Sequence, residues 1–187
     1  MIALLETSFT PGADPTTSIV AADVALEADC TEAEAEAMLS ASWAMVEAFT
    51  GTMYRDMDAG KVIVKLASAV PFRWPRCPFP AALTVEAYSG GVWVPSSARY
   101  IADVGTIDLE PFTLYRLTQE GTVPGAPVSA GVVQAVQNLA LYQLIHAPSR
   151  REFKSQSSGD FSFSREALMP VFRGSGAGAL LAGEVRI

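Results

Sequence analysis

The stretch that most constrains this chain runs from Pro127 to Ala147, PVSAGVVQAVQNLALYQLIHA. Proline suits the first turn of a helix, and Pro148 pushes the residue before it out of the α region, so the sequence predicts a helix bounded by these two prolines. Such a helix has about twenty residues and a length of roughly 30 Å. At 100° per residue, Val132, Val133, Val136, Leu139, Ala140 and Leu144 share one broad apolar face, the side expected to meet a core. Leu141 and Ile145 fall on the opposite face with Gln134 and Asn138. That second apolar pair is satisfied either by another element of the same domain or by a contact between subunits. Gln134, Gln137, Asn138 and Gln143 make a membrane span an unsuitable reading.

The length of 187 residues fits one domain able to bury a real core, here with a small insertion. No apolar run reaches bilayer length, so no membrane association is expected. The segment MIALLETSFTPGADP has neither a basic start nor a long apolar core, so it does not read as a signal peptide. Cys30 and Cys77 stand far apart without a CxxC, and His146 is the single histidine, which disfavours a disulfide framework or a zinc site. Two free, buried thiols are expected.

Charge is distributed unevenly within a net −7. Before Arg55 there are nine carboxylates and no lysine or arginine; from Pro148 onward Arg150, Arg151, Lys154, Arg165, Arg173 and Arg186 outnumber the acids. Halves of opposite sign can complement each other between neighbouring copies, while an acidic surface gives no grip on phosphates.

Residues 1–15 read as an extended arm. Thr16 and Thr17 offer caps for a short helix that takes in Ile19, Val20, Val24 and Leu26 and stops near Asp29. Thr31 followed by Glu34 forms a capping box for a stronger helix, with a core stripe of Met38, Leu39, Ser42, Met45, Val46 and Phe49, Trp43 at its margin and Gly51 at its end. After Gly60 the period becomes that of strands: Lys61–Leu66, Leu83–Tyr88, Val92–Val94, Arg99–Ala102, Thr106–Leu109 and Thr113–Leu117. Ser89-Gly90-Gly91 marks a hairpin. The four prolines of VPFRWPRCPFP exclude a helix or a central strand there, leaving a brace for the sheet or an exposed contact loop, with Trp74 and Phe79 as small-core residues. Ser164 can cap a short last helix that Pro170 shortens or kinks. Gly174, Gly176 and Gly178 then loosen the chain before an apolar end. The expected class is α+β: a small helical bundle (16–60 and 121–173), an inserted antiparallel β element (61–120) and an extended C-terminal tail (174–187), all in one domain.

Chemistry is sparse. A Ser-His-Asp or Cys-His arrangement could be built only on His146, which lies near the end of an apolar helix, where a favourable place against the helix dipole explains it. There is no GxxxxGK[ST] or GxGxxG, and the glycines of RGSGAGA do not link a strand to a helix. No enzyme activity, no cofactor and no metal site are expected.

The order of parts, with a capped helix ending in Phe49-Thr50-Gly51, a β insertion, a long helix ending LYQLIHAPSRR and a late Gly159-Asp160-Phe161-Ser162, resembles the head-tail connector (adaptor) proteins of long-tailed double-stranded DNA phages and related gene transfer agents. The β insertion is longer than in the smallest members of that family. The resemblance implies a structural virion protein, made in the host cytoplasm, that forms a homo-oligomeric ring of twelve copies at the head-tail interface. The ring would bind the portal protein through its C-terminal tail and a tail or stopper protein on the other side, and DNA would pass through its channel without sequence-specific binding. Leu180, Leu181, Val185, Arg186 and Ile187 are the expected portal-binding residues, with Val185 and Ile187 on one side of an extended strand. Leu141, Ile145, Arg150 and Arg151 are the expected subunit interface. A tail-completion or baseplate-type binding module is the alternative, and a small hydrolase using His146 a third possibility.

Overall fold

A computed structural model describes residues 2–150 and 165–185. The fold combines helices with antiparallel sheets, the α+β class expected. The chain divides into two compact units, Met1–Ala13 with Arg55–Ala126, and Asp14–Tyr54 with Pro127–Ile187.

Among the described residues the first unit contains eight strands: β1 (Ile2–Pro11), β2 (Met57–Leu66), β3 (Phe72–Arg73), β4 (Leu83–Ser89), β5 (Val92–Pro95), β6 (Tyr100–Ile101), β7 (Thr106–Ile107) and β8 (Leu114–Gln119). Five of them form a sheet in the order β1-β2-β8-β4-β5, and the short ones form a second sheet, β3-β7-β6. Strand alternation sets the core: Val62, Val64 and Leu66 of β2 point inward, and the register places Val62 opposite Leu117 and Val64 opposite Tyr115. Gly90 and Gly91 form the two-residue loop between β4 and β5, both with positive φ (59° and 88°), a turn that glycine enters without steric penalty. Gly60 is required by crowding, since a Cβ there would lie 2.9 Å from the Gln119 side-chain oxygen and 3.0 Å from the Phe9 ring.

Two expectations for this unit change. Residues 2–11 are no free arm; β1 pairs along its length with β2, because the alternating partner it needed lies some fifty residues downstream. The proline-rich interval also contributes a strand, β3, at the edge of the small sheet where its prolines interrupt no ladder. Trp74 is buried and meets the edge of Phe9 at 5.6 Å, so this interval builds core.

The second unit contains α1 (Ala21–Ala28), α2 (Glu32–Thr50), α3 (Ala130–Arg150), α4 (Arg165–Gly174) and α5 (Ala177–Leu180). The Thr31–Glu34 capping box forms as expected, with the Glu34 carboxylate accepting from Thr31 N at 3.0 Å, and α2 closes on Gly51 at φ 73°. Trp43 is buried rather than marginal. α1 begins at Ala21, later than expected: Thr17 accepts from the Ile19 amide in a local turn, and no side chain caps the helix. Leu26, counted among its apolar positions, points to solvent, while Val24 and Ala25 pack inward.

α3 starts three residues after Pro127, with Ser129 Oγ accepting from the Val132 amide at 3.3 Å, and a serine cap displaces the proline start. It also runs past Pro148 to Arg150. A proline at that point removes the bond back to the carbonyl of residue 144 in the last turn alone, and the packed face upstream holds the helix. α4 likewise passes through Pro170 for ten residues without being shortened. Cys30 and Cys77, one in each unit, are not in disulfides, and both are of intermediate burial rather than buried as expected.

Candidate functional site

The expected portal-binding tail begins where α4 ends, and its glycines serve close packing rather than looseness. A Cβ at Gly174 would collide with the Tyr142 hydroxyl and ring, and one at Gly178 would meet the Phe172 carbonyl at 3.4 Å. Gly176, at φ 75°, makes the reversal that starts α5. On α3, Gly131 lets the Leu180 carbonyl approach to 3.3 Å of where its Cβ would be. Phe172 is buried and stacks on Phe49 at 4.1 Å between ring centres with an 11° interplanar angle. Ala177 and Leu181 are fully buried, and Ser129 Oγ, which caps α3, donates to Glu184 Oε1 at 2.8 Å.

Through residue 185, therefore, the C-terminal segment is folded against α3 and α4, and the extended tail is corrected for those residues. The physical reason is that small residues on both sides of the seam allow backbone approach, which recovers the burial a short apolar peptide lacks alone. Of the residues assigned to portal binding, Leu180 is 40% exposed, Leu181 is internal and Val185 is half-buried. Arg186 and Ile187 lie outside the described residues.

The expected interface residues separate. Leu141, with Leu144, packs on the small cluster of Val24, Ala25 and Ala35 that α1 and α2 supply, so α1 is the second neighbour its face required. Ile145 stays 51% exposed. Arg150 closes α3, and Arg151 lies outside the described residues, as does the Gly159-Asp160-Phe161-Ser162 motif. Two bonds of the α3 amides are local, Gln134 to Asn138 at 2.8 Å and Gln143 to the Leu139 carbonyl at 3.2 Å, and Gln143 also reaches Ser42 Oγ of α2 at 3.4 Å. His146 stacks edge-on to Tyr142 at 4.6 Å.

One buried polar side chain was missed. Glu47 is among the most buried residues of α2 and accepts from the Tyr54 amide at 2.9 Å, tying the chain after Gly51 back to the helix. The periodic pattern gave a signal, since Glu47 lies one position from Val46 on a face bounded by Trp43 and Thr50. A shallow hollow of about 320 Å³ lies between α2 and the segment ahead of α1, lined by Asp14, Pro15, Thr16, Thr17, Ile19, Glu36, Leu39 and Trp43. Among the described residues no three His, Cys, Asp or Glu side chains converge to hold a metal ion, and no helix is long and apolar enough to cross a membrane.

No protein-family model and no curated protein matches the chain. Two chains in solved structures are similar to it. One belongs to the neck of an empty GTA particle computed with C6 symmetry, with 17% identity over 91% of this chain and 95% of that one and a TM-score of 0.49. The other belongs to the neck of a native GTA particle computed with C12 symmetry, with 16% identity over 89% and 94% and a TM-score of 0.41.

Proposed function

We propose that this chain is a head-tail connector subunit: a structural virion protein that forms a ring between portal and tail, completes the filled head and continues the DNA channel. The observation that carries the reading is where the resemblance's residues fall in the fold. Phe49-Thr50-Gly51 ends the capped α2, with Phe49 stacked on Phe172 of α4, Thr50 Oγ1 donating to the Val46 carbonyl at 2.9 Å and Gly51 making the left-handed turn that leads to the β unit. The motif thus joins the first long helix, the last helices and the exit to the β strands, in the element order of an adaptor.

Twelve copies make the ring in this reading. The portal meets it through the C-terminal segment, at Leu180, Val185, Arg186 and Ile187, while Leu181 serves as the anchor that holds the segment on α3. Ile145, Arg150 and Arg151 face the next copy in this reading, and a stopper or tail protein takes the opposite side. DNA slides past without being read, since the acidic N-terminal third offers phosphates no purchase. Disruption of the coding sequence for this chain should give DNA-filled heads without attached tails; normal tailed particles from that strain overturn the reading. In the full-length protein, Leu180→Arg should weaken binding to portal rings with circular dichroism unchanged, and unaltered binding removes the C-terminal assignment.

A further inference from the structure

The five-stranded sheet ends on two open edges, β1 and β5, which among the described residues pair only with β2 and β4 respectively. β1 is unusual for an edge. Its first residues present apolar side chains to solvent on both faces of the strand, with Ile2 45%, Leu4 50% and Leu5 59% exposed. A bulge falls between Leu4 and Glu6, and residues 2–6 are exposed on either side of it. Edge strands of stable monomers are blunted with charge or proline, but here Pro11 comes only at the far end and Glu6 is tied to Lys61 of β2 at 2.5 Å. A row of unpaired amides and carbonyls flanked by exposed leucines fits another β-strand.

We infer that the β1 edge of one copy pairs with the β5 edge of the next, so that the sheet continues from subunit to subunit. This rests on the reading of the chain as a ring subunit. β5 is also an edge strand with exposed valines (Val92 59%, Val94 37%), and its four residues match the length of the apolar run 2–5, with Pro95, which has no amide to donate, only at the last position. Charge permits this pairing. In a chain of net −7 most surfaces of two copies repel, yet β5 carries no charge and the one carboxylate of β1 is neutralised within its own sheet. Pairing β1 with β1, or β5 with β5, would stop at two copies, because an isologous contact closes on itself. A heterologous edge-to-edge contact propagates and closes as a ring.

The test is oxidative cross-linking of the full chain at about 100 µM, with the unsubstituted protein and its two native cysteines as baseline. Within one copy β1 and β5 are separated by three strands, roughly 19 Å at about 4.8 Å per step, beyond the roughly 7 Å reach of a disulfide between Cα atoms. A mixture of Leu4→Cys and Val94→Cys chains should therefore give a mixed dimer at about tenfold the yield of either homodimer, and the doubly substituted chain should give a ladder of multimers. No species above baseline, or a Leu4→Cys homodimer as the main product, overturns the inference. As a second reading, Leu4→Lys should weaken self-association about tenfold, equivalent to about 1.4 kcal/mol, in sedimentation equilibrium, and unchanged association counts against the joint. Failure here with tails still dependent on the chain removes this joint and leaves the connector reading; a ladder from a chain whose loss leaves tailed particles intact does the reverse.

Discussion

In the β unit the innermost positions are large: Trp74, Leu66, Ile107, Leu117, Val62 and Val64. In the helical unit they include Ala35, Ala135, Ala140 and Ala177 beside Leu139, Phe172 and Leu181, and its closest approaches pass over Gly131 and Gly174. The first core is filled by side-chain volume projected from strands about 10 Å from whatever covers them, the second by backbones brought together until little volume is left to fill. The difference teaches where each unit is vulnerable. Removing atoms should damage the β unit most, and adding them the helical unit.

The largest effect expected is that of Trp74→Ala. The indole is buried among Phe9, Phe72 and their neighbours, and its loss leaves a cavity as well as losing transfer energy, together about 3–5 kcal/mol. Amide exchange in β2 and β8 reports it directly, and protection that falls by less than tenfold would show that this core collapses to fill the gap. The converse is Gly174→Ala. One methyl group driven into Tyr142 should lower the stability of the C-terminal seam by about 1–3 kcal/mol, read as faster exchange from residue 177 on. Tyr142→Ala in the same chain should restore part of it; a Gly174→Ala protein as stable as the original would break the contrast between the units.

Smaller again is Thr31→Ala, which removes the cap of α2 at about 1 kcal/mol in thermal unfolding. Glu34 holds its carboxyl below the usual value of 4.5, chiefly through the hydrogen bond from the Thr31 backbone and then through the Thr31 hydroxyl. A depressed carboxylate stabilises the fold fully above pH 4.5 and loses that contribution as pH falls through its folded value. The Thr31→Ala deficit should accordingly shrink in acid, and a deficit that is constant from pH 7 to pH 3 separates the cap from the carboxylate.

The two units were not equally legible. Local rules found what is local: the Thr31–Glu34 box, the Gly51 stop, the Gly90-Gly91 hairpin and the inward face of α3 each depend on residues within a turn of one another. β1 escaped because an arm and a strand have the same sequence until a partner is known, and β2 lies far along the chain. The C-terminal segment was misread for a related reason. Glycine permits both looseness and contact, and only Tyr142 against Gly174 and the Leu180 carbonyl against Gly131 decide for contact. Prolines misled in the same direction: at 148 and 170 their local preference to end a helix yielded to packing.

The smallest effect expected is on the surface of the β unit, at the cross-strand pair of Glu86 on β4 and Arg116 on β8. They are directly opposite in register, with Arg116 Nε donating to Glu86 Oε2 at 2.6 Å and the guanidinium 4.8 Å from the centre of the Trp93 ring. The Arg116 hydrogen bond holds the Glu86 carboxyl below 4.5, and the same bond raises the arginine. The contribution of Glu86 is thus present above pH 4.5 and disappears as pH drops through its folded value. Both side chains are partly exposed, so salt screens part of their charge attraction, over about 10 Å at 0.1 M, whereas the stacking of Arg116 on Trp93 is less sensitive to ions. Glu86→Gln should therefore lower the thermal midpoint slightly at low salt and pH 7, and the difference from the original should fade both in high salt and at acid pH. Trp93→Leu separates the two contacts: it removes the ring and leaves the ion pair, so its deficit should persist in salt. If the Glu86→Gln deficit is the one that persists, the hydrogen bond geometry rather than charge holds this pair, and the β surface is built on directional contacts like those that fix its turns.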